Sequence, residues 1–365
     1  MKHHLALYAL LCAAVLSGTA CAVPYTPQET DLEYSEPDSL LVTVVFSASG
    51  KQGSKVTGVT DGDERNIGRW SIFAFDDESG SFHYETSESG GPLPLRLAAG
   101  RNYTCYAIVN YPESGVGAFD PSRVRNPKDL TRKTAYLGDN RASSLLMFGS
   151  TGIVRLPQTD TDVTINVRRL VSRIDLRGLK VDFSEKPSLA GKTFTLRSVY
   201  VTNAYRTTLY GDDYSFSGLS STRSAWYNTG GWHRGEMAEA GIDALLGDIG
   251  INTAISAGSP YTGNHSFYAF PNPAPVSQDV QTMDAWTRRC TRLVIEASID
   301  SDIVYYAITV PEMTRNHIYA ASNVIIHGRG SKDPEIIDID PDVIEVSLTP
   351  VIEDGWDGAG SITLD

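Results

Sequence analysis

The sequence predicts an all-β protein made of two β-sandwich domains in series. Short runs of β-branched and aromatic residues recur along the chain, and turns rich in Gly, Asn and Asp separate them. Helical periodicity is scarce, and its best instance covers residues 236–246. The 365 residues are enough for two domains of ordinary size, each with its own core. We therefore expect an N-terminal sandwich at 40–170 and a C-terminal sandwich at 171–365.

The individual strands follow from apolar and alternating patterns. The first, 40–46, reads LLVTVVF, and we expect it to be buried on both faces because it has almost no polar position. A domain boundary near 168–175 is indicated by several arginines that precede a renewed run of strands. The other strands are predicted at 70–75, 93–97, 103–110, 163–167, 170–176, 194–202, 266–270, 291–299, 304–310, 318–327 and 343–349.

Composition and charge exclude several classes of function. Hydrophobic residues make up 41% and charged residues 21% of the chain, which is typical of a folded globular protein and not of a disordered one. The formal net charge is -13, and no run of Lys and Arg interrupts it. A nucleic-acid binder needs a basic surface that neutralises phosphates, so we expect no nucleic-acid partner.

No pattern typical of an enzyme is present. The histidines beyond the N-terminal segment are scattered singly, and there is no nucleophile elbow, phosphate-binding loop or dinucleotide fingerprint. The acidic stretches 61–64 and 76–78 could hold calcium, but we interpret them as solvated turns because neither has the spacing of a calcium loop. Cys105 and Cys290 lie far apart in strand-like settings, which favours two buried free thiols over a disulfide. We therefore expect no catalytic residue, no metal and no cofactor.

Residues 1–21 have the pattern of a secretion signal. A positive start precedes an apolar stretch, 5–16, which is too short to span a bilayer. Two interpretations of its end remain open. In the first, Cys21 is the first residue after ordinary cleavage. In the second, which we favour, the small residues before Cys21 resemble the acylation motif of bacterial lipoproteins, although Gly18 replaces the usual Leu. The polar segment 22–39 would then be a flexible tether that carries the fold away from the membrane.

A Gly-rich segment at 210–261 interrupts the strands and is interpreted as an insertion that carries the short helix. It contains Trp226 and Trp232, for which two interpretations stay open. Exposed flat rings stack on sugars, so the pair could contact a glycan. The other interpretation, which we favour, is that both rings pack the insertion onto the sandwich.

Several stretches together resemble the fimbrillin family of Bacteroidales, the pilin-like lipoproteins of type V pili. One is the first strand followed by WSIFAFDDESG at 70–80, and another is AGRNYTCYAIVN at 99–110. FYAFPNP at 267–273 is also similar, and the most specific stretch runs from 291 to 335. The likeness covers nearly the whole chain after the signal, but the segment 210–261 is similar to nothing in the family.

This resemblance implies a mode of assembly. In fimbrillins each of two domains is a transthyretin-like β-sandwich, and a trypsin-like protease removes the first strand after a basic residue. The emptied groove then receives a strand from a neighbouring subunit. The corresponding residues here would be Lys51, Lys55 and Arg65 as candidate processing sites, Leu40, Val42, Val44 and Phe46 as the strand that leaves the groove, and Ile344, Val346 and Leu348 as the donor in a tail at 340–365.

The function implied by the resemblance is that of a structural subunit, of the shaft or the tip, in an extracellular fimbria that contributes to adhesion. The expected partners are other pilin subunits, the processing protease, a membrane reached through the lipid anchor, and a host or bacterial surface glycan or protein. The protein would be exported as an outer-membrane lipoprotein and end in the surface fimbrium. The alternative function is that of a glycan-binding surface lipoprotein that uses Trp226 and Trp232.

Overall fold

The computed structural model of the chain describes residues 40–49, 64–212, 214–228, 241–275, 288–310, 312–334, 343–351 and 356. The predicted signal with Cys21 and the tether lie outside the described residues, as do Lys51, Lys55 and Trp232. Within the described ranges, no helix is both long and apolar enough to cross a membrane.

The described residues consist mainly of β-strands, which confirms the all-β prediction. Apart from single 3-10 turns, the helices in this part of the chain are the five-residue α1 (Pro127–Thr131) and α2 (Ile242–Leu246). The strands, in chain order, are β1 (Leu41–Ser49), β2 (Trp70–Asp76), β3 (Phe82–Ser87), β4 (Leu93–Ala98), β5 (Asn102–Val109), β6 (Thr134–Tyr136), β7 (Met147–Arg155), β8 (Thr161–Arg169), β9 (Ser172–Val181), β10 (Phe194–Thr202), β11 (Ala204–Tyr205), β12 (Thr207–Leu209), β13 (Trp226–Tyr227), β14 (Gly247–Ile255), β15 (Pro260–Ala269), β16 (Thr291–Ile299), β17 (Asp302–Val310), β18 (Ile318–Ile326) and β19 (Ile344–Val351).

The first half of the chain forms a seven-stranded sheet in the order β3-β2-β5-β7-β8-β1-β4. Its two edge strands, β3 and β4, are consecutive in the chain and are joined by residues 88–92 alone. Neighbouring strands lie about 4.8 Å apart, so the edges of a flat sheet of this width would be about 29 Å apart. The connection reaches at most about 21 Å. The sheet must therefore curl until its two edges approach each other at this connection.

The second half of the chain forms two four-stranded sheets, β14-β10-β16-β17 and β15-β9-β18-β19. Leu196 and Ile295 from the first sheet, and Ile174 and Phe267 from the second, are buried in one shared apolar core, as in a sandwich of two sheets. The change from the seven-stranded sheet to these two falls between β8 and β9, and the short pair β6–β12 joins the two halves of the chain. The assignment of the halves to transthyretin-like domains stays a prediction.

The segment 210–261, predicted to be an insertion, is partly built into these sheets. β14 pairs with β10, and β15 begins within the segment and pairs with β9. β14 is an edge strand with mostly exposed side chains, which explains its polar, Gly-containing sequence. The helix is shorter than predicted where it is described, because α2 begins at Ile242; residues 236–240 lie outside the described part of the chain.

Cys105 and Cys290 are both buried and free, which confirms the prediction of two unpaired thiols. Burial raises the pKa of the Cys105 thiol to about 12, because a thiolate there would lose its hydration. Cys290 Sγ donates towards the carbonyl oxygen of Ala274 at 3.3 Å. Both cysteines therefore act as small core residues.

The acidic turn after β2 is held by its own hydrogen bonds. Asp76 Oδ1 accepts hydrogen bonds from the backbone N–H groups of Glu78 and Ser79 (2.9 and 3.0 Å), and Oδ2 accepts one from Arg101 (2.9 Å). Burial alone would raise the pKa of Asp76, but the Arg101 guanidinium and the two N–H groups outweigh it and hold the pKa below its ordinary value. The carboxylate thus stabilises the turn that joins β2 to β3.

We expect Asp76→Asn to lower the free energy of unfolding by about 1.5–3 kcal/mol near neutral pH, because it removes the charge that Arg101 pairs with. The folded-state pKa of Asp76 lies below the unfolded value of 3.8, so the stabilisation is present above that pH and is lost as the pH falls through the folded-state pKa. Urea unfolding at about pH 7 and about pH 3 measures both effects, and the difference between wild type and variant should shrink at the lower pH. Asp77→Asn, at the exposed neighbouring position, is the matched control. An unchanged difference at the two pH values would contradict this account.

Candidate functional site

β1 is an interior strand of the seven-stranded sheet. It pairs antiparallel with β4, with Val44 opposite Leu95, and parallel with β8, with Phe46 opposite Val163. The backbone of β1 is therefore bonded on both edges. Because strands lie about 4.8 Å apart, removal of β1 would leave a slot about 10 Å wide between β4 and β8.

One face of β1 is buried. Val42, Val44 and Phe46 are at most 2% exposed, whereas the side chains between them are only partly buried. The expectation of burial on both faces is therefore wrong. Leu40 also does not belong to the buried row, because it precedes the strand and is 55% exposed. Successive side chains of a strand point to opposite faces, and only one face of β1 lies on the core. Burial of the three core-facing side chains contributes about 5–9 kcal/mol.

The predicted donor segment forms β19. This strand pairs antiparallel with β18, with Ile344 opposite Ile326, and it ends the order of its sheet. Ile344 is buried and Val346 packs against the core, while the side chain of Leu348 lies outside what the structure describes. In this form of the chain the tail is thus seated on its own sheet, and its described ladder of hydrogen bonds runs along one edge.

A buried carboxylate links the region after β1 to the tail. Glu64 is 2% exposed, and its two oxygens accept hydrogen bonds from Nη1 of Arg173 (3.1 and 3.0 Å). Oε2 also accepts a hydrogen bond from Nε1 of Trp356 (3.0 Å), and Oε1 accepts one from the Tyr268 hydroxyl. Arg173 is in turn paired with Asp175 (3.1 Å). A buried carboxylate is tolerated only when it is paired and hydrogen-bonded, and this one has three donors.

A second arginine covers the indole ring. The Arg169 guanidinium lies 4.4 Å from the centroid of the Trp356 ring, and its Nε donates to the Glu64 carbonyl oxygen (3.0 Å). Burial lowers the pKa of Arg169 to about 10, and Glu64 opposes that shift, so the guanidinium stays charged at neutral pH. Burial and the Glu64 carboxylate raise the pKa of Tyr268, so its hydroxyl remains a donor. We name Glu64, Arg169, Arg173 and Tyr268 together the Trp356 seat.

The Trp356 seat as a whole has no signature in the sequence, because its members and its occupant come from positions as far apart as 64 and 356. A local signal is nevertheless present: Arg169, Arg173 and Asp175 place charges in a stretch whose other residues are largely apolar. Charged residues are rarely buried without partners, so this pattern indicates an internal ionic network. The interpretation of these arginines as the sign of a domain boundary therefore missed this network.

Arg65 directly follows Glu64, and the backbone on both sides of Arg65 is fixed by hydrogen bonds. The carbonyl before it accepts a hydrogen bond from Arg169 Nε (3.0 Å), and the carbonyl of Asn66 accepts one from Asn110 Nδ2 (2.8 Å). The Arg65 side chain is itself partly buried. A protease acts on chain segments whose backbone is exposed and free of such bonds. Arg65 is therefore an unfavourable cleavage position in the folded protein.

Trp226 does not form an exposed platform. Its ring is completely buried, with its centroid 4.9 Å from that of the Tyr205 ring, and its Nε1 donates to the Ser220 carbonyl oxygen (2.8 Å). The burial of Trp226 agrees with the favoured interpretation, that the ring packs inside the fold, and argues against a glycan contact, since the ring has no face open to a sugar. Trp232 lies outside the described residues.

His265 joins the two sheets of the second half. Its Nδ1 lies 2.8 Å from Asp248 Oδ2 on β14, and its Nε2 lies 3.0 Å from the Tyr261 hydroxyl. His265 is buried, so these contacts connect β14 to β15. Over the part of the chain that the structure describes, no group of three or more His, Cys, Asp or Glu side chains is placed to hold a metal ion.

We expect Glu64→Gln to lower the free energy of unfolding by about 3–5 kcal/mol, because it removes the negative charge that the two buried arginines share. Denaturant unfolding followed by circular dichroism measures this loss. The matched control is Glu88→Gln, which removes an exposed ion pair with Arg69 and should cost less than about 1 kcal/mol. If both variants lose the same free energy of unfolding, Glu64 does not stabilise the fold more than an exposed ion pair does.

The fold has solved relatives, although no family model and no curated protein matches the chain. A candidate cell adhesion protein of Parabacteroides distasonis has a TM-score of 0.55 at 13% identity, and the match covers 86% of this chain and 97% of that one. A candidate cell adhesion protein of Bacteroides eggerthii has a TM-score of 0.55 at 16% identity, covering 85% and 95%. A fimbrilin of Porphyromonas gingivalis W83 has a TM-score of 0.55 at 14% identity, covering 85% and 96%. The resemblance found in the sequence is thus confirmed at the level of the fold, which this chain shares with Bacteroidales fimbrilins and cell adhesion candidates.

Proposed function

We propose that the chain is a structural subunit, of the shaft or the tip, of an extracellular fimbria that contributes to adhesion, and that its subunits join by strand exchange. The observation that carries this proposal is β1, an interior strand whose single buried row fills a slot between β4 and β8. The fold shared with a fimbrilin supports the same conclusion.

β19 has the pattern needed to replace β1. Alternate positions in a strand point to one face, so a donor must repeat the apolar spacing of the strand that it replaces. A β19 that entered the slot would pair with β4 and β8 together, and would gain a second ladder of backbone hydrogen bonds. The rows that would exchange are Val42, Val44 and Phe46 of β1 and Ile344, Val346 and Leu348 of β19.

A resident β1 excludes a donor from another copy. Because it belongs to the same chain, β1 is present at an effective concentration of about millimolar or more, and a free subunit would lose the competition. Removal of β1 by a protease ends that competition. We place the cleavage after Lys51 or Lys55, in the segment that follows β1, and not after Arg65, whose neighbours are held by hydrogen bonds.

Export and anchoring would come before assembly. In this scheme Cys21 carries the lipid, the segment 22–39 is the tether, and the subunit reaches the outer membrane before it is processed. Both Cys21 and β1 lie on the N-terminal side of the cleavage, so one cut would empty the slot and also separate the subunit from its anchor. The partners are other subunits, the processing protease, and a surface glycan or protein that the assembled fimbria contacts.

No reaction is assigned to the protein. The charged groups of the Trp356 seat are enclosed and paired, which suits a structural contact better than a site that receives a substrate. The alternative of a glycan-binding lipoprotein depended on Trp226 and Trp232, and the burial of Trp226 removes one of these two residues from it.

We expect trypsin treatment of the chain 22–365 to produce oligomers that resist sodium dodecyl sulfate, because each exchanged strand would be bonded on both edges. Electrophoresis without boiling detects the ladder, and N-terminal sequencing of its bands should begin at residue 52 or 56. Deletion of 340–365 should abolish the ladder. A cleaved chain that stays monomeric, with residues 40–46 still bound, would contradict strand exchange.

A matched pair of tail variants separates donation from general damage. Val346→Asp places a charge in the apolar row of β19 and should abolish the oligomers, whereas Ser347→Asp, on the opposite exposed face, should preserve them. Circular dichroism establishes that both variants are folded before cleavage. Equal ladders from the two variants would show that the alternate row does not mediate assembly.

We expect the bond after Arg65 to resist trypsin in the folded protein. A Lys51→Gln, Lys55→Gln double variant should therefore remain uncut at Arg65 under native conditions and should not form the ladder. Mass spectrometry of the products measures this, and partial unfolding in urea, which frees the held chain, should restore cleavage at Arg65. Rapid native cleavage at Arg65 in the double variant would contradict the protection inferred from its neighbours.

A further inference from the structure

The tail makes a contact beyond β19: Trp356 is 5% exposed and occupies the Trp356 seat. We propose that this seat is a docking site that holds the tail on its own subunit, and that Trp356 must leave it before β19 can pass to a second copy. This inference rests on the strand exchange proposed above and names the contact that controls it.

The chemistry of the seat fits an indole specifically. Trp356 Nε1 donates to the Glu64 carboxylate (3.0 Å), and the face of the same ring receives the Arg169 guanidinium at 4.4 Å. A phenylalanine offers a ring face but no N–H, and an aliphatic side chain offers neither. Both contacts involve a full charge in a water-excluded place, where such interactions are stronger than at the surface.

The segment between β19 and Trp356 is short, so docking of Trp356 limits how far β19 can move. The strand ends at Val351, and five peptide steps separate that residue from Trp356. Such a segment spans at most about 17 Å. While Trp356 stays docked, Val351 therefore stays within about 17 Å of the Trp356 seat, which restricts the passage of β19 to another subunit. For transfer of β19, we expect release of Trp356 in addition to detachment of the ladder between β18 and β19.

Proteolysis would leave this contact intact. Cleavage after Lys51 or Lys55 retains Glu64 in the subunit, so the seat keeps its carboxylate while the slot of β1 is emptied. Acceptance and donation of a strand would thus be controlled separately: cleavage opens the slot, and release of Trp356 frees the tail. A cleaved subunit could accept a strand before its own tail is released.

Hydrogen exchange measured by mass spectrometry on the uncleaved chain 22–365 tests the docking directly. Trp356→Phe keeps the apolar ring but removes the N–H that Glu64 accepts, and it should speed amide exchange in residues 344–351 by about tenfold or more relative to the central strand β16. The matched control is Trp226→Phe, which removes an equally buried indole N–H, bonded to the Ser220 carbonyl oxygen, in another part of the fold. It should leave exchange in 344–351 unchanged. Glu64→Gln should reproduce the effect of Trp356→Phe.

The outcomes separate this inference from the proposed function. Unchanged exchange in 344–351 for Trp356→Phe, or a rise no larger than that of β16, overturns the docking role. If exchange rises as expected, trypsin-cleaved Trp356→Phe should also form its ladder several times faster than the wild type. If cleaved Trp356→Phe forms its oligomer ladder at the wild-type rate, the Trp356 seat does not control the transfer of β19 to another subunit. Faster hydrogen exchange in Trp356→Phe, together with no electrophoretic ladder from any cleaved chain including the wild type, supports the docking contact. The same result contradicts strand exchange between subunits.

Discussion

The N-terminal sheet depends on one constraint, which is that the position between β4 and β8 must be filled by a strand. β1 is the neighbour that connects β4 to the rest of the sheet, and β4 is joined to the opposite edge by the short connection from β3. Loss of β1 would therefore leave β4 without its described partner and would uncover the core beneath Val42, Val44 and Phe46. Any strand that pairs with both edges and presents three alternating apolar side chains restores the same sheet.

The two strands considered for exchange differ in how they are held, and this difference gives the exchange a direction. β1 has a paired strand on each edge, whereas β19 ends the order of its sheet. A tail that moves from the edge of its own sheet into an emptied slot gives up one row of backbone hydrogen bonds and gains two. Backbone pairing and the preformed groove thus supply free energy that side-chain burial alone would not, since ordering a strand of about ten residues costs on the order of 10–20 kcal/mol.

Strands with long apolar or alternating runs were predictable from the sequence, and strands with mixed or polar sequences were not; β7, an interior strand with the sequence MFGSTGIVR, belongs to the second group. The run 291–299 coincides with β16 because alternate residues from Leu293 to Ile299 are apolar, and the predicted strands at 70–75 and 103–110 agree with β2 and β5 to within a residue at each end. β14 was not predictable, because an exposed edge strand has the polar composition of a loop. The exposure of Leu40 was missed for a related reason: an unbroken apolar run does not reveal which of its alternating faces lies on the core.

The Trp356 seat as a whole could not have been derived from a local pattern, because it depends on tertiary contacts between β8, β9, β15, Glu64 ahead of β2, and Trp356. A buried ion pair is often no more stabilising than a well-packed apolar cluster, so its value here lies in selectivity. Glu64 accepts a hydrogen bond from the Trp356 N–H, and Arg169 lies over the electron-rich face of the same ring; an aliphatic side chain from the tail would provide neither contact. Glu64 follows both proposed cleavage positions, Lys51 and Lys55, so a subunit cut there would keep the carboxylate that binds Trp356, the last described residue of the tail. The two parts of the subunit that would take part in assembly are thus positioned by one buried charge.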